Sequence, residues 1–196
     1  ETEKKSALDD IFTSYYQLEV LQLSDFRKSH KIRDLLFLLM GRVGSRLDIQ
    51  KLANALGITR VTVNEYLAFL EGTYFIKVVT PYTTNKDVEI RKASKLYVCD
   101  TGLIRRFAQV DEEALFENAV YWNLHNKGTV QYYQRKTGVE IDFILNQQQA
   151  YEVKLHPEKG DITKLQALGK DIGIEKTNIV GREYAPIQNI VYLFNL

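Results

Sequence analysis

The chain has 196 residues, 45% of them hydrophobic and 26% charged, with a formal net charge of +1. This is an ordinary soluble globular composition, sized for one or two domains. It contains no apolar run of about 18 residues and no secretory signal pattern, which excludes a membrane span and points away from export.

Cys99 is the only cysteine, so an intrachain disulfide is excluded and a reducing cytoplasm is expected. His30, His125 and His156 have no zinc-site spacing. Charge is unevenly spread. Residues 1–40 carry 6 basic and 7 acidic groups, residues 41–95 carry 9 and 5, and residues 100–196 carry 11 and 13. The middle segment is therefore the candidate nucleic-acid face. Its net +4 neutralises too few phosphates for strong non-specific binding at physiological salt.

Residues 6–22 predict a helix with Ser6 as cap and Asp9 and Asp10 in the first turn. Its apolar side chains are spread widely, as in a helix packed on two sides. Residues 29–43 predict a second helix around the apolar run Leu35 to Met40. Residues 47–72 read as helix, turn, helix. Asp48 caps the first helix, Gly57 and Ile58 turn the chain, Thr59 caps the second and Gly72 ends it. Residues 73–80 are rich in β-branched and aromatic side chains and predict a strand, with 95–99 as its partner. Three helices followed by a hairpin form a winged helix. Arg60, Thr62 and Asn64 then lie on the outer face of the recognition helix, where Arg suits guanine and Asn suits adenine. Lys86, Arg91 and Lys92 make a basic wing. Glu65 shares that outer face and repels phosphate, and winged helices also serve protein contacts.

Asp100 breaks the second strand and caps a short helix over 103–108, placed as the hinge between two halves. Residues 111–126 predict a helix capped by Asp111, with a stripe of Leu115, Phe116, Ala119, Val120, Trp122 and Asn123. Glu117 falls at the stripe's edge. After a strand at 132–134 comes Gly138 to Lys154, which reads as a hairpin. Val139, Ile141, Phe143 and Leu145 alternate with more polar positions, and Tyr151 and Val153 alternate with Glu152 and Lys154. If the apolar sets share a face, facing residues sum to 294, the loop is Asn146 to Gln148, Asp142 opposes Glu152 and Glu140 opposes Lys154. Opposed Cβ atoms lie roughly 4.5–5.5 Å apart. Two like charges at about 4 Å repel by roughly 4 kcal/mol at an effective dielectric near 20. A divalent cation would offset that repulsion, since hard cations take clustered carboxylate oxygens. Lys154, on the same face, could hold a phosphate. A helix over 161–171, whose Lys164 and Gln166 could approach a phosphate, and strands at 177–180 and 190–194 complete the chain.

Asp142, followed ten positions later by Glu152-Val153-Lys154, resembles the PD-(D/E)XK nuclease core. The resemblance implies magnesium or manganese held by Asp142 and Glu152, with Lys154 steadying the attacking water or the scissile phosphate. It also implies that Glu117 is the acidic residue of the core's first helix and points at the metal. LANALGITRVTVNEYLAFLEGTYFIKVVTPY, KLYVCDTGL, ALFEN, GVEIDFIL and YEVK together resemble the C-terminal domain of unknown function of prokaryotic AAA+-type P-loop ATPases. That resemblance implies an α+β chain: a helical winged-helix lobe over 1–99 and a restriction-endonuclease-like α/β lobe over 100–196. DNA and a P-loop ATPase domain, of the same or another chain, are the implied partners. The sequence has no GxxxxGK[ST] stretch, so no ATP site of that kind is expected here. It opens at Glu1 rather than Met, as a fragment of a longer protein would. A metal-dependent DNA nuclease is the first expectation. A non-catalytic DNA- or protein-docking module with a relic site is the alternative, and a regulatory part of an ATPase acting by protein contacts alone is a third.

Overall fold

A computed structural model of the chain describes residues 2–21, 29–83, 93–135 and 137–196. Lys86, Arg91 and Lys92, the expected wing, lie outside the described residues. The class is α+β, with seven α-helices and two sheets among the described residues. Helix α1 (Thr2–Tyr15) passes into a π-helical segment (Tyr16–Leu21), and α2 spans Ser29–Met40. Helices α3 (Ile49–Leu56) and α4 (Arg60–Gly72) follow. Asp48 accepts the Lys51 N–H, Gly57 turns in the left-handed region at φ 63°, and Thr59 accepts the Thr62 N–H. These are the caps and turn expected from the residue types.

Strands β1 (Ile76–Val79) and β2 (Lys95–Val98) pair antiparallel. The expected strand start at residue 73 is too early. Tyr74 adopts φ 60° and is 82% exposed, so the chain leaves α4 through a left-handed residue before it extends. The turn after α2 lies along β2: the Gly44 N–H donates to Leu96 O and the Leu47 N–H to Ser94 O.

Helix α5 (Thr101–Phe107) is capped by Asp100, which accepts the Leu103 N–H. Helix α6 (Glu112–His125) is capped by Asp111. The second sheet runs β3 (Val130–Gln134), β4 (Glu140–Leu145), β5 (Gln149–Lys154), β6 (Lys176–Gly181) and β7 (Ile190–Tyr192), with α7 (Lys159–Asp171) between β5 and β6. The β3–β4 and β4–β5 pairs are antiparallel, and the two later pairs are parallel. The final strand is shorter than expected, because Leu193–Asn195 turn into a 3₁₀ helix.

The sheet is covered on both faces. Ile162, Leu165 and Leu168 of α7 pack with Ile141, Ile144, Ala150 and Ile179. The other face, with Phe143, Leu145, Tyr151 and Val153, belongs to a core that continues through α6 and the hairpin into α2, α3 and α4. Backbone bonds also join the two sheets: Tyr82 N–H donates to Tyr132 O, and Tyr132 N–H to Thr80 O.

Helix α6 is rotated from the expected stripe. Leu115, Phe116 and Val120 of that stripe are buried, but so are Asn118, Tyr121 and Leu124, while Ala119, Trp122 and Asn123 are half-buried, so the buried face is turned toward Asn118. The reason is polar. Asn118 is fully buried, its Oδ1 accepting from Val98 N and its Nδ2 donating to Val98 O, both at 2.9 Å. It completes the free edge of β2 as a strand would. Asn118→Leu strands the Val98 N–H, while Trp122 Nε1 still serves Val98 O. We expect a loss of about 2 kcal/mol, seen as a Tm roughly 4–8 °C lower in a thermal melt.

Candidate functional site

The hairpin register sums to 294 as expected: Phe143 faces Tyr151, Ile144 faces Ala150 and Leu145 faces Gln149. Asn146 and Gln147 both have positive φ, the pattern of a tight hairpin turn. The pairing stops at Phe143, so the expected facing of Asp142 and Glu152 is not part of the ladder. Instead of a ladder bond, the Asp142 carboxylate accepts the Val153 N–H at 2.8 Å. On the other side of β4, Gln131 faces Ile144 and Tyr133 faces Ile141, so Asp142 and Phe143 together oppose Tyr132. This is a β-bulge, which re-aims side chains. It also breaks the expected alternation. Ile141 packs in the α7 core with Ile144, not with Phe143, and Val139 is exposed.

A cleft of about 480 Å³ opens here, lined by Glu117 of α6, Glu140 and Asp142 of β4, Glu152 and Lys154 of β5, Lys164 of α7, and the Val43–Ser45 turn. The three expected metal-site carboxylates and Lys154 thus share one cleft. Gln166, whose side chain is exposed, is not among its lining residues. Asp142 is 8% exposed. Lys154 Nζ donates to Glu152 Oε1 at 2.8 Å, and Glu152 Oε2 is buried with no hydrogen-bond partner. The expected facing of Glu140 and Lys154 is not seen. Glu140 accepts from Gln134 Nε2 and from Lys95 Nζ.

Sequence reasoning missed Lys95 and Tyr97. Lys95 is 3% exposed, and its Nζ lies 3.3 Å from both Glu117 Oε1 and Glu140 Oε1. The Tyr97 hydroxyl donates to Glu117 Oε1 at 2.6 Å. Period two places Lys95 and Tyr97 on one face of β2, and that shared face, in a strand of otherwise apolar residues, was the available signal. Gly44, at φ 74°, lies so close that a Cβ there would sit 3.3 Å from Glu117 Oε2.

The charges are crowded. Burial and then the Asp142 charge push the Glu117 carboxyl up to about 7, against Lys95 and the Tyr97 bond. Burial and Asp142 likewise push Glu152 up to about 7, against Lys154. Burial raises Asp142 as well. Burial works to lower both lysines, but the surrounding carboxylates outweigh it and hold them above the ordinary range.

Among the described residues, no three His, Cys, Asp or Glu side chains converge as a ready-made metal cage. Lys95 and Lys154 draw carboxylate oxygens to themselves. The donor set still fits a hard cation: all donors are carboxylates, and Glu152 Oε2 is a buried oxygen lacking a partner.

A second groove, of about 1010 Å³, is lined by Arg46, Lys51, Arg60 and Asn64, with Asp48 and Glu71. Arg60 and Asn64 are exposed. Thr62 is not among the lining residues; its N–H and hydroxyl are bonded to Thr59 in the cap. The groove connects to the acidic cleft through side chains. Arg46 Nη1 donates to Gln134 Oε1 at 2.7 Å, and Gln134 Nε2 to Glu140 Oε2 at 3.0 Å.

Residues 1–114 match the family model described as a domain of unknown function, DUF8612. The chain belongs to the DUF8612 family. This DUF8612 chain is 25% identical over 150 residues to an uncharacterized protein of Haemophilus influenzae, covering 72% of this chain and 37% of that relative. It is 25% identical over 109 residues to an uncharacterized protein of Mycobacterium tuberculosis, covering 56% of this chain and 25% of the relative. A Mycobacterium bovis protein matches with the same identity and coverage. The DUF8612 chain therefore spans only a quarter to somewhat over a third of these relatives' length. No solved structure matches it.

Proposed function

We propose that this chain is a DNA-binding, nuclease-like C-terminal module of an AAA+-type ATPase, hydrolysing phosphodiester bonds in the cytoplasm with a divalent cation. The carrying observation is Glu152 Oε2, a buried and unpartnered carboxylate oxygen on the strand beside Asp142. Two helices joined by a tight turn, followed by a hairpin, support a winged helix. Helix α6, then β3, β4 and β5 with this carboxylate pair, support a PD-(D/E)XK-like lobe. Magnesium or manganese held by Asp142 and Glu152, with Glu117 in the same cleft, would supply Lewis acidity at the phosphate and acidify a water molecule. The chain's own residues do the rest. Lys154 offers an ammonium to the phosphate once Glu152 turns to the cation. Arg46, Lys51, Arg60 and Asn64 hold the duplex in the second groove. The unmatched length of the relatives leaves room for the ATPase part.

The test is cleavage of linear, nicked and branched DNA with magnesium or manganese. We expect cleavage that requires the cation and falls in Glu152→Gln by more than roughly 100-fold, the upper end for losing a group that only supports a metal ligand. Uncleaved DNA under every cation would overturn the reading. The second reading, a docking module with a relic site, draws on Lys95 and Lys154, which already neutralise carboxylates. Salt-dependent binding without cleavage would select it.

A further inference from the structure

Aromatic rings stand in a row at the β7 end of the second sheet. Tyr184 lies on the loop after β6, Tyr192 ends β7 and Phe194 lies in the 3₁₀ turn. The Tyr184 and Tyr192 ring centres are 6.5 Å apart and their planes 16° from parallel. Tyr192 and Phe194 are 5.8 Å apart and 8° from parallel. This is offset stacking carried from ring to ring. The Ala185 N–H donates to the Tyr192 hydroxyl at 3.3 Å, which fixes the middle ring. The end rings are open, Tyr184 at 82% exposed and Phe194 at 85%.

The row is aligned with the acidic cleft. Lys154 pairs with Gly181 and Gly181 with Tyr192, so Lys154 and Tyr192 point to one face of the sheet. At about 4.8 Å per strand, Tyr192 stands roughly 10 Å from Lys154, about three steps of a stacked DNA strand. Gly181 between them has no side chain and is covered by Pro157. The opposite end of the same sheet meets the second groove, where Arg46 donates to Gln134 of β3. Asp142 on β4 and Glu152 on β5 lie between the groove and the rings.

We propose that Tyr184, Tyr192 and Phe194 are a stacking platform for unpaired bases, and that the cleft takes a DNA whose duplex lies in the second groove while a single strand leaves over β7. The proposal rests on the nuclease reading above and names its substrate class. Every base has a π-face, so parallel exposed rings bind single strands of any sequence. The charges flanking Tyr184 are already engaged: Arg182 pairs with Glu112, and Glu183 is bonded to His156. The platform therefore offers faces to bases rather than charge to phosphates. A protein partner would call for an apolar centre. Here the exposed Gln188, Asn189 and Asn195 of the same segment are amides, which suit base edges.

The test is fluorescence anisotropy on the whole chain, with EDTA present so that no DNA is cut. The probes are a blunt duplex, the same duplex with an unpaired arm of about twelve thymidines on its 3′ or its 5′ end, and the same arms made abasic. We expect a thymidine arm to tighten binding by roughly tenfold or more, and the abasic arm, with the same phosphates, to add less than about twofold. Tyr184→Ala and Phe194→Ala should each remove roughly fivefold or more of that gain and leave the blunt duplex within about twofold. Phe194→Trp should keep the gain. Both end rings are exposed, so these variants should melt as the natural chain does. Thymidine arms that add nothing, a gain that the abasic arm equals, or a gain that survives both alanine variants overturns the platform and leaves the nuclease reading standing. Binding of none of these DNAs overturns the nuclease reading and the platform together.

Discussion

Lys95→Met is expected to cost the metal-free fold about 3–5 kcal/mol at pH 8, because it breaks a buried pair from one side only. The methionine fills the same space, so packing changes little. What remains is Glu117 with Tyr97 alone and Glu140 with Gln134 alone, both facing Asp142. Natural domains hold only about 5–15 kcal/mol in total. The loss therefore appears as a large fall in the urea midpoint at unchanged slope. The double variant Lys95→Met with Glu117→Gln should recover much of it, since removing both partners is close to neutral. Saturating Mn²⁺ should recover part of it by binding the native state alone. A loss below about 1 kcal/mol would mean that the pair is screened as a surface pair is.

Without metal, the fold is expected to lose stability as pH rises from about 4.5 to about 7. Glu117 and Glu152 have native values raised to about 7 from an ordinary 4.5. Between those limits the native chain holds protons that the unfolded chain has released. The stabilisation is complete below the unfolded value and is lost as pH climbs through the native one. At 1.36 kcal/mol per pH unit of difference, the loss is on the order of 3 kcal/mol for each of the two carboxyls. Asp142→Asn should flatten the profile, because the Asp142 charge is the second cause of both shifts. Its amide oxygen can still accept the Val153 N–H. The variant should thus be more stable than the natural chain at pH 8 and unable to bind the cation, as expected where stability is given up for function. Urea midpoints across pH 4.5–8.5 decide it; a natural chain that gains stability over this range would contradict the charge account.

The hairpin of β4 and β5 was legible because parity and a polar turn leave one register in which both apolar sets share a face. The caps at Asp48, Thr59, Asp100 and Asp111 were legible because capping is local chemistry, whereas the expected cap Ser6 lies inside α1, which begins at Thr2. The bulge at Asp142 was not. It depends on Tyr132 facing two residues of β4, a long-range count that alternation along one strand does not contain. The rotation of α6 was hidden for a related reason. Asn118 reads as a surface residue until its partner, the open edge of β2, is known. Glu117 was found through the family resemblance, while the wheel placed it only at a stripe's edge. Lys95 was missed because a lysine at a strand end is ordinarily solvated. Its burial exists only because Glu117 and Glu140, 22 and 45 residues away, arrive on either side of it.

The most direct test of a cation-dependent phosphodiester site is calorimetric titration of Mn²⁺ or Mg²⁺ into the chain and into Asp142→Ala, each with and without DNA. The natural chain is expected to bind the cation, and the variant to have lost that binding. No binding by the natural chain, even with DNA present, would contradict such a site and leave a docking module whose acidic cleft is neutralised by its own lysines.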